Sequence, residues 1–163
     1  MTAPLPASQP PAASGIAVRF DHLAVVVDDM SAALAFWQGA LGLPLATVQR
    51  EAAEDVDIAF LPLDSGGEIE LLTPLGDSSG IARYLAKRGA GMHHLCLEVA
   101  DLDSMIARLR DHQVELINDA PKQKDDGTRY LFVHPRSSGG VLVELYERPR
   151  SATLPPTSTE GRN

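Results

Sequence analysis

Four side chains in this sequence combine a metal-capable type with a regular spacing: His22, Glu70, His94 and Glu144. His22 and His94 lie 72 positions apart, and Glu70 and Glu144 lie 74 apart. Each histidine is followed by its glutamate at a similar interval, 48 positions in the first case and 50 in the second. Two imidazoles and two carboxylates suit a borderline first-row divalent ion, with positions left for water or substrate. Cobalt, manganese, nickel and zinc are all compatible; magnesium, an oxygen-preferring ion, suits two histidines less well. Both glutamates are flanked by large apolar residues, in EIELL and VLVEL. A carboxylate buried there without a partner is costly, and coordination to a cation compensates it.

A second histidine, His93, stands directly before His94 in the stretch GMHHLCLEV. Successive side chains of an extended strand point to opposite faces, so a regular strand presents only one of the two to a metal. His94 is the expected ligand, and His93 is expected to face away, packing or hydrogen-bonding. Cys96 shares the face of His94 and reads as a small core residue.

The elements that must position these residues are written twice. Phe20 to Val27 reads as a valine-rich strand. A helix follows, capped by Asp29 or Ser31, with Ala33, Trp37, Ala40 and Leu41 at helical spacing and Gly42 as its stop. His93 to Val99 followed by Asp101 or Asp103 as cap and by Leu102, Ile106 and Leu109 repeats the plan. Three strand-like runs follow each helix: LATVQRE, VDIAFLPL and EIELLTP in the first half, VELIN, RYLFVHP and VLVELYE in the second. Between the halves SSGIARYLAKRGAG predicts a linking helix, capped by Ser79 and stopped by Gly89. Arg83, Lys87 and Arg88 form its solvated face, and Phe36 and Trp37 read as helix packing. The expected fold is therefore α+β: two paired βαβββ modules forming a curved eight-stranded sheet around a metal site. We place module one at about 18–75, the linking helix at about 78–90 and module two at about 91–148, in a single domain spanning 18–148. Residues 1–17, rich in Pro, Ala and Ser, read as a disordered leader, and the polar, Pro-rich 149–163 as a disordered tail.

The formal net charge is −8. An acidic chain repels nucleic acid at long range, so a nucleic-acid partner is not expected. No apolar run approaches the length of a membrane span, and the leader lacks the positive start and apolar core of a signal peptide. The single cysteine excludes an intrachain disulfide framework and a Cys-rich zinc module, and fits a reducing cytoplasm.

With these residues in hand, the chain resembles the vicinal oxygen chelate (glyoxalase-like) superfamily, and within it the methylmalonyl-CoA epimerases. The resemblance covers residues from about 20 to 147. It is carried by DHLAVVVDDMSAALAFWQGALGL, by EIELLTPLGDSSGIARYLAKRGAGMHHLCLEVADLD and by FVHPRSSGGVLVELYE. The GMHH strand with HPRSSGGVLVEL is its most specific part. The resemblance implies a homodimer, one divalent ion per chain on His22, Glu70, His94 and Glu144, with cobalt placed first among the compatible metals, and interconversion of (R)- and (S)-methylmalonyl-CoA.

Such a reaction removes a proton from the carbon between a thioester and a carboxylate, through a metal-stabilised enolate, and returns it on the other face. Glu144 is one candidate base. Some relatives carry a second glutamate on the strand matched by EDVDIAFL; here Ile58 stands in that inward position. Asp57, next to it, is the remaining carboxylate, and it faces outward unless a bulge intervenes. The family's His-Pro-Lys is His134-Pro135-Arg136 in this chain, which keeps a positive group near the coenzyme A end. The alternatives are a lactoylglutathione lyase of the glyoxalase I type and a metal-free small-molecule-binding protein of the same fold. The GMHH-to-HPR pattern weighs against the first, and the intact four-residue set against the second.

Overall fold

Eight strands join in one sheet in the order β2-β3-β4-β1-β5-β8-β7-β6. The structure, a computed structural model, describes residues 17–149. Apart from Ala17 and Pro149, the expected leader and tail therefore lie outside the described residues.

Module one begins with β1 (Val18–Val26), whose alternate residues divide between two faces. His22, Ala24 and Val26 take the inner, concave side. Leu23, Val25 and the following Val27 pack outward against α1 (Met30–Leu34). Asp29 is the cap: its side chain accepts from the Ala32 N–H at 3.0 Å. The expected single helix is not regular. After five α-helical residues the chain widens into a π-helical turn over Ala35–Ala40, with the Leu41 N–H bonding to the Phe36 carbonyl at 2.8 Å. That turn rotates Leu41 into solvent while Trp37 stays on the outer core. Gly42, at φ +81°, ends it. The chain then runs through β2 (Thr47–Glu51), β3 (Val56–Pro62) and β4 (Glu68–Pro74), and β4 returns parallel to β1.

Helix α2 (Gly80–Arg88), capped by Ser79 and ended at Gly89 as expected, leads to module two. Strand β5 (Gly91–Val99) pairs antiparallel with β1 and so joins the modules at the sheet centre. Helix α3 (Leu102–Asp111) is capped by Asp101, not Asp103; Asp103 instead pairs with Arg129 at 2.6 Å, tying the helix to the sheet. The expected strand VELIN is a correction. It makes one isolated bridge, Leu116 to Val133, and the ladder position is taken by β6 (Lys122–Gln123). Backbone bonds from Ile117 and His134 hold the segment beside the next strand, but Pro121, without an N–H, prevents a continuous ladder. Strands β7 (Arg129–Val133) and β8 (Val143–Glu147) complete the sheet, with β8 parallel to β5.

Two outer cores, under α1 and under α3, bury Leu61 and Leu71 on one side and Leu102 and Leu131 on the other, all fully buried. Each such side chain contributes about 1.5–3 kcal/mol. A third cluster, Val26, Val56, Leu72 and Ile81, seats α2 at one end of the concave face. The helices thus leave the middle of that face to polar side chains.

Candidate metal centre

His22 from β1, His94 from β5 and Glu144 from β8 meet at the middle of the concave face, all buried. The Nε2 atoms of the two histidines are 3.1 Å apart. Glu144 Oε2 lies 3.0 Å from His94 Nε2 and 3.6 Å from His22 Nε2. Strand pairing brings them there: His22 is opposite Cys96, and Cys96 is opposite Glu144. Glu70, on β4, stands on the other edge of the His22 ring, with Oε1 3.5 Å from Nδ1. Three of the four expected ligands therefore converge on one point, and Glu70 adjoins them across the imidazole.

The charges at this point are strongly coupled. Burial would raise the pKa of the Glu144 carboxyl, but hydrogen bonds from His22 and His94 outweigh it and hold it well below the usual carboxylate range. Burial would lower that of His22, but Asp21, Glu144 and Glu70 outweigh it and bring it to about 9. For Glu70 burial wins and raises the pKa despite both histidines. Buried carboxylates beside two imidazoles whose Nε2 atoms lie close together could hold a cation, and a divalent ion would relieve the burial of Glu70. Cys96, fully buried with its thiol pKa pushed up by burial, is a core residue as expected.

The neighbouring histidine is where a regular-strand reading fails. Along β1 and β5 the register holds from His22–Cys96 to Ala24–His94, then jumps to Val25–Met92. His93 is thus the extra residue of a β-bulge, and bulged residues escape strict alternation. It does not simply face away. Its Nδ1 is 2.8 Å from Nδ1 of His94, and its ring packs on Tyr84 at 4.8 Å between centroids. Burial and the charge of His94 lower its pKa to about 4, so it is a neutral imidazole at neutral pH. The same device occurs in module one. The register jumps between Phe20 and His22, leaving Asp21 as the extra residue. Its Oδ1 is 2.8 Å from Nδ1 of His22. Arg148 in turn bonds Asp21 Oδ2 at 3.0 Å and the Tyr146 hydroxyl at 2.6 Å. Burial works to raise the Asp21 pKa, but His22, Tyr146 and Arg148 together bring it to about 2. In both modules the residue before the converging histidine holds its Nδ1, which leaves Nε2 turned to the centre. Sequence reasoning passed over Asp21, Tyr146 and Arg148; the Asp-His and His-His pairs at matched positions were the available signal.

Asp57 is not brought to the centre. Strand β3 pairs with β2 and β4 without a register shift, so Asp57 shares the face of Arg50 and Thr73, away from Glu70. Its carboxylate is bound by Arg50, with Nε to Oδ1 at 3.1 Å. Ile58 holds the inward position and packs with the cluster under α2. A cleft of about 410 Å³ adjoins the centre on the side of His22 and Glu70, lined also by Lys124 and Tyr146.

Residues 21–132 match the model of the Glyoxalase/Bleomycin resistance protein/Dioxygenase superfamily. The chain is 36% identical over 128 residues to the mitochondrial methylmalonyl-CoA epimerase of Mus musculus, covering 78% of this chain and 71% of that one. It is 38% identical over 129 residues to the ethylmalonyl-CoA/methylmalonyl-CoA epimerase of Cereibacter sphaeroides, covering 78% and 96%. The chain belongs to the methylmalonyl-CoA epimerase family of this superfamily. A solved structure of a Streptomyces coelicolor methylmalonyl-CoA epimerase variant, in complex with 2-nitronate-propionyl-CoA, matches with a TM-score of 0.68 at 31% identity. That match covers 80% of this chain and 96% of the epimerase. The two βαβββ modules and the curled eight-stranded sheet are those of the family fold. Among the described residues no helix is long and apolar enough to cross a membrane.

Proposed function

We propose that this protein is a metal-dependent epimerase that interconverts (R)- and (S)-methylmalonyl-CoA. The observation that carries the reading is the convergence of His22, His94 and Glu144 on one buried point beside an open cleft. The named relatives add the substrate class. The nitronate ligand of the Streptomyces coelicolor complex is a planar anion, shaped like the enolate that proton loss from methylmalonyl-CoA would give.

His22, His94 and Glu144, with Glu70 beside them, would hold one divalent ion, cobalt by preference. Such an ion supplies Lewis acidity where negative charge develops on the substrate. The remaining work falls to the chain itself. Asp21 and His93 fix the two imidazoles. Glu144, kept ionised by both histidines, is the candidate to take the α proton. The apolar cluster under α2 closes one end of the concave face against water. Asp57, bound to Arg50 on the opposite face, has no part in this scheme. A homodimer and a cytoplasmic location complete the reading, the latter supported by the lone, fully buried Cys96.

The deciding experiment incubates the metal-loaded protein with methylmalonyl-CoA in heavy water. Deuterium at the α carbon is followed by mass spectrometry, with an EDTA-treated control. Exchange with epimer conversion, abolished by EDTA, is the expected result. A fully loaded protein that exchanges no deuterium would overturn the assignment.

A further inference from the structure

Lys124 is a cation of the cleft that the centre does not use. It follows β6 in the hairpin to β7, where its backbone N–H donates to Thr128 at 2.8 Å and its carbonyl accepts from Gly127 at 3.0 Å. The pairing of Lys122 with Tyr130 puts Lys122, Lys124 and Tyr130 on the inner face. Lys124 turns its ammonium inward, with Nζ 5.6 Å from the centroid of the Tyr130 ring. It lines the same cleft as His22 and Glu70. Lysine is an ammonium at neutral pH, so Lys124 brings a positive charge to this wall of the cleft. The other cation of the cleft, Arg148, is already bound to Asp21 and Tyr146.

The opposite wall differs. Ile58 and Phe60 stand on the face of Glu70 and Leu72, with Gln49 and Thr47 of β2 opposite them, so module one offers the cup two apolar side chains and no cation at these positions. A branched acyl group with one methyl and one carboxylate would be oriented by these unlike walls. We propose that Lys124 is a specificity-determining residue that pairs with the free carboxylate of a malonyl-type acyl-CoA, and so selects such substrates over uncharged acyl-CoAs. The proposal rests on the epimerase reading above. When Glu70 and Glu144 hold a divalent ion, their charge is compensated there and the ammonium is available to an incoming anion.

The test measures binding of malonyl-CoA and acetyl-CoA, which differ by that carboxylate, to the metal-loaded protein by titration calorimetry. Wild type, Lys124→Met and Lys124→Arg are compared, with deuterium exchange of methylmalonyl-CoA run on each. Wild type should prefer malonyl-CoA. Lys124→Met should weaken malonyl-CoA roughly tenfold or more, as expected for a lost charge-assisted contact, and leave acetyl-CoA unchanged. Its KM for methylmalonyl-CoA should rise while exchange at saturation persists, and Lys124→Arg should recover part of the preference. If wild type exchanges methylmalonyl-CoA but Lys124→Met keeps the full preference, the role of Lys124 is overturned alone. If wild type neither exchanges nor distinguishes the two ligands, the epimerase reading falls and this proposal with it.

Discussion

Asp21 and His93 occupy equivalent places, yet they support their histidines differently. Asp21 is a carboxylate locked by Arg148 and Tyr146, and with His22 as a ligand through Nε2 it accepts the Nδ1–H of that ring. His93 is neutral at neutral pH and packed on Tyr84. When Nε2 of His94 serves as a ligand, its Nδ1 carries the proton and donates to Nδ1 of His93. Two substitutions separate ligand from support. His94→Ala should abolish metal binding and activity together. His93→Ala should keep the metal but weaken it by roughly 10–100-fold, as loss of a partner behind a ligand does. Calorimetry against a competing chelator reads both. Complete loss of metal in His93→Ala, with binding kept in His94→Ala, would reverse the assignment.

At the scale of the element, the two bulges carry the design. A bulge adds one residue and lets neighbouring side chains lean to one side of the sheet. Without the extra residues, Asp21 and His93 would alternate away from the histidines they hold. The bulge in β1 is crowded from the turn before β4. Gly67 has φ +77°, and an added Cβ would come within 2.5 Å of the Phe20 ring and 2.6 Å of the Asp21 carbonyl oxygen. Gly67→Ala should therefore destabilise the protein by about 1–3 kcal/mol from backbone strain alone, with the steric clash adding to it. Urea denaturation would show this as a lower midpoint. Metal affinity should fall with it, because Asp21 would be displaced. An unchanged midpoint would show that the turn can relax without moving β1.

For the molecule as a whole, the centre is divided between the modules. His22 and Glu70 come from module one, and His94 and Glu144 from module two. The antiparallel contact of β1 with β5 is the seam. An ion bound there holds both halves of the native sheet and has no equivalent site in the unfolded chain, so binding adds stability by linkage. At a free metal concentration 100 times Kd the gain is about 2.7 kcal/mol. The melting temperature should rise when a divalent ion is added and fall with EDTA. In His94→Ala neither addition should move it. A wild-type melting temperature indifferent to metal would argue against a site spanning the seam.

The repeat, the α+β class and the family were legible in the sequence, because hydrophobic periodicity, caps and glycine stops are local signals. Ser79, Gly42 and Gly89 mark boundaries by their own backbone preferences. The four proposed ligands could be named because a duplicated chain writes the same residue types at matched spacings. Other features depend on partners distant in sequence. VELIN has strand composition, but the ladder it would join is set by Pro121 and by the edge of β7. The inward side of His93 is fixed by the register of β5 against a strand about 70 residues earlier. The convergence of three proposed ligands with Glu70 across the ring, the anchoring of Asp21 by Arg148 and the inward turn of Lys124 have the same origin. Composition and periodicity say which face a strand can bury. Only the assembled sheet decides which side chains meet on it, because register and bulges are set by pairing between strands and not by either strand alone.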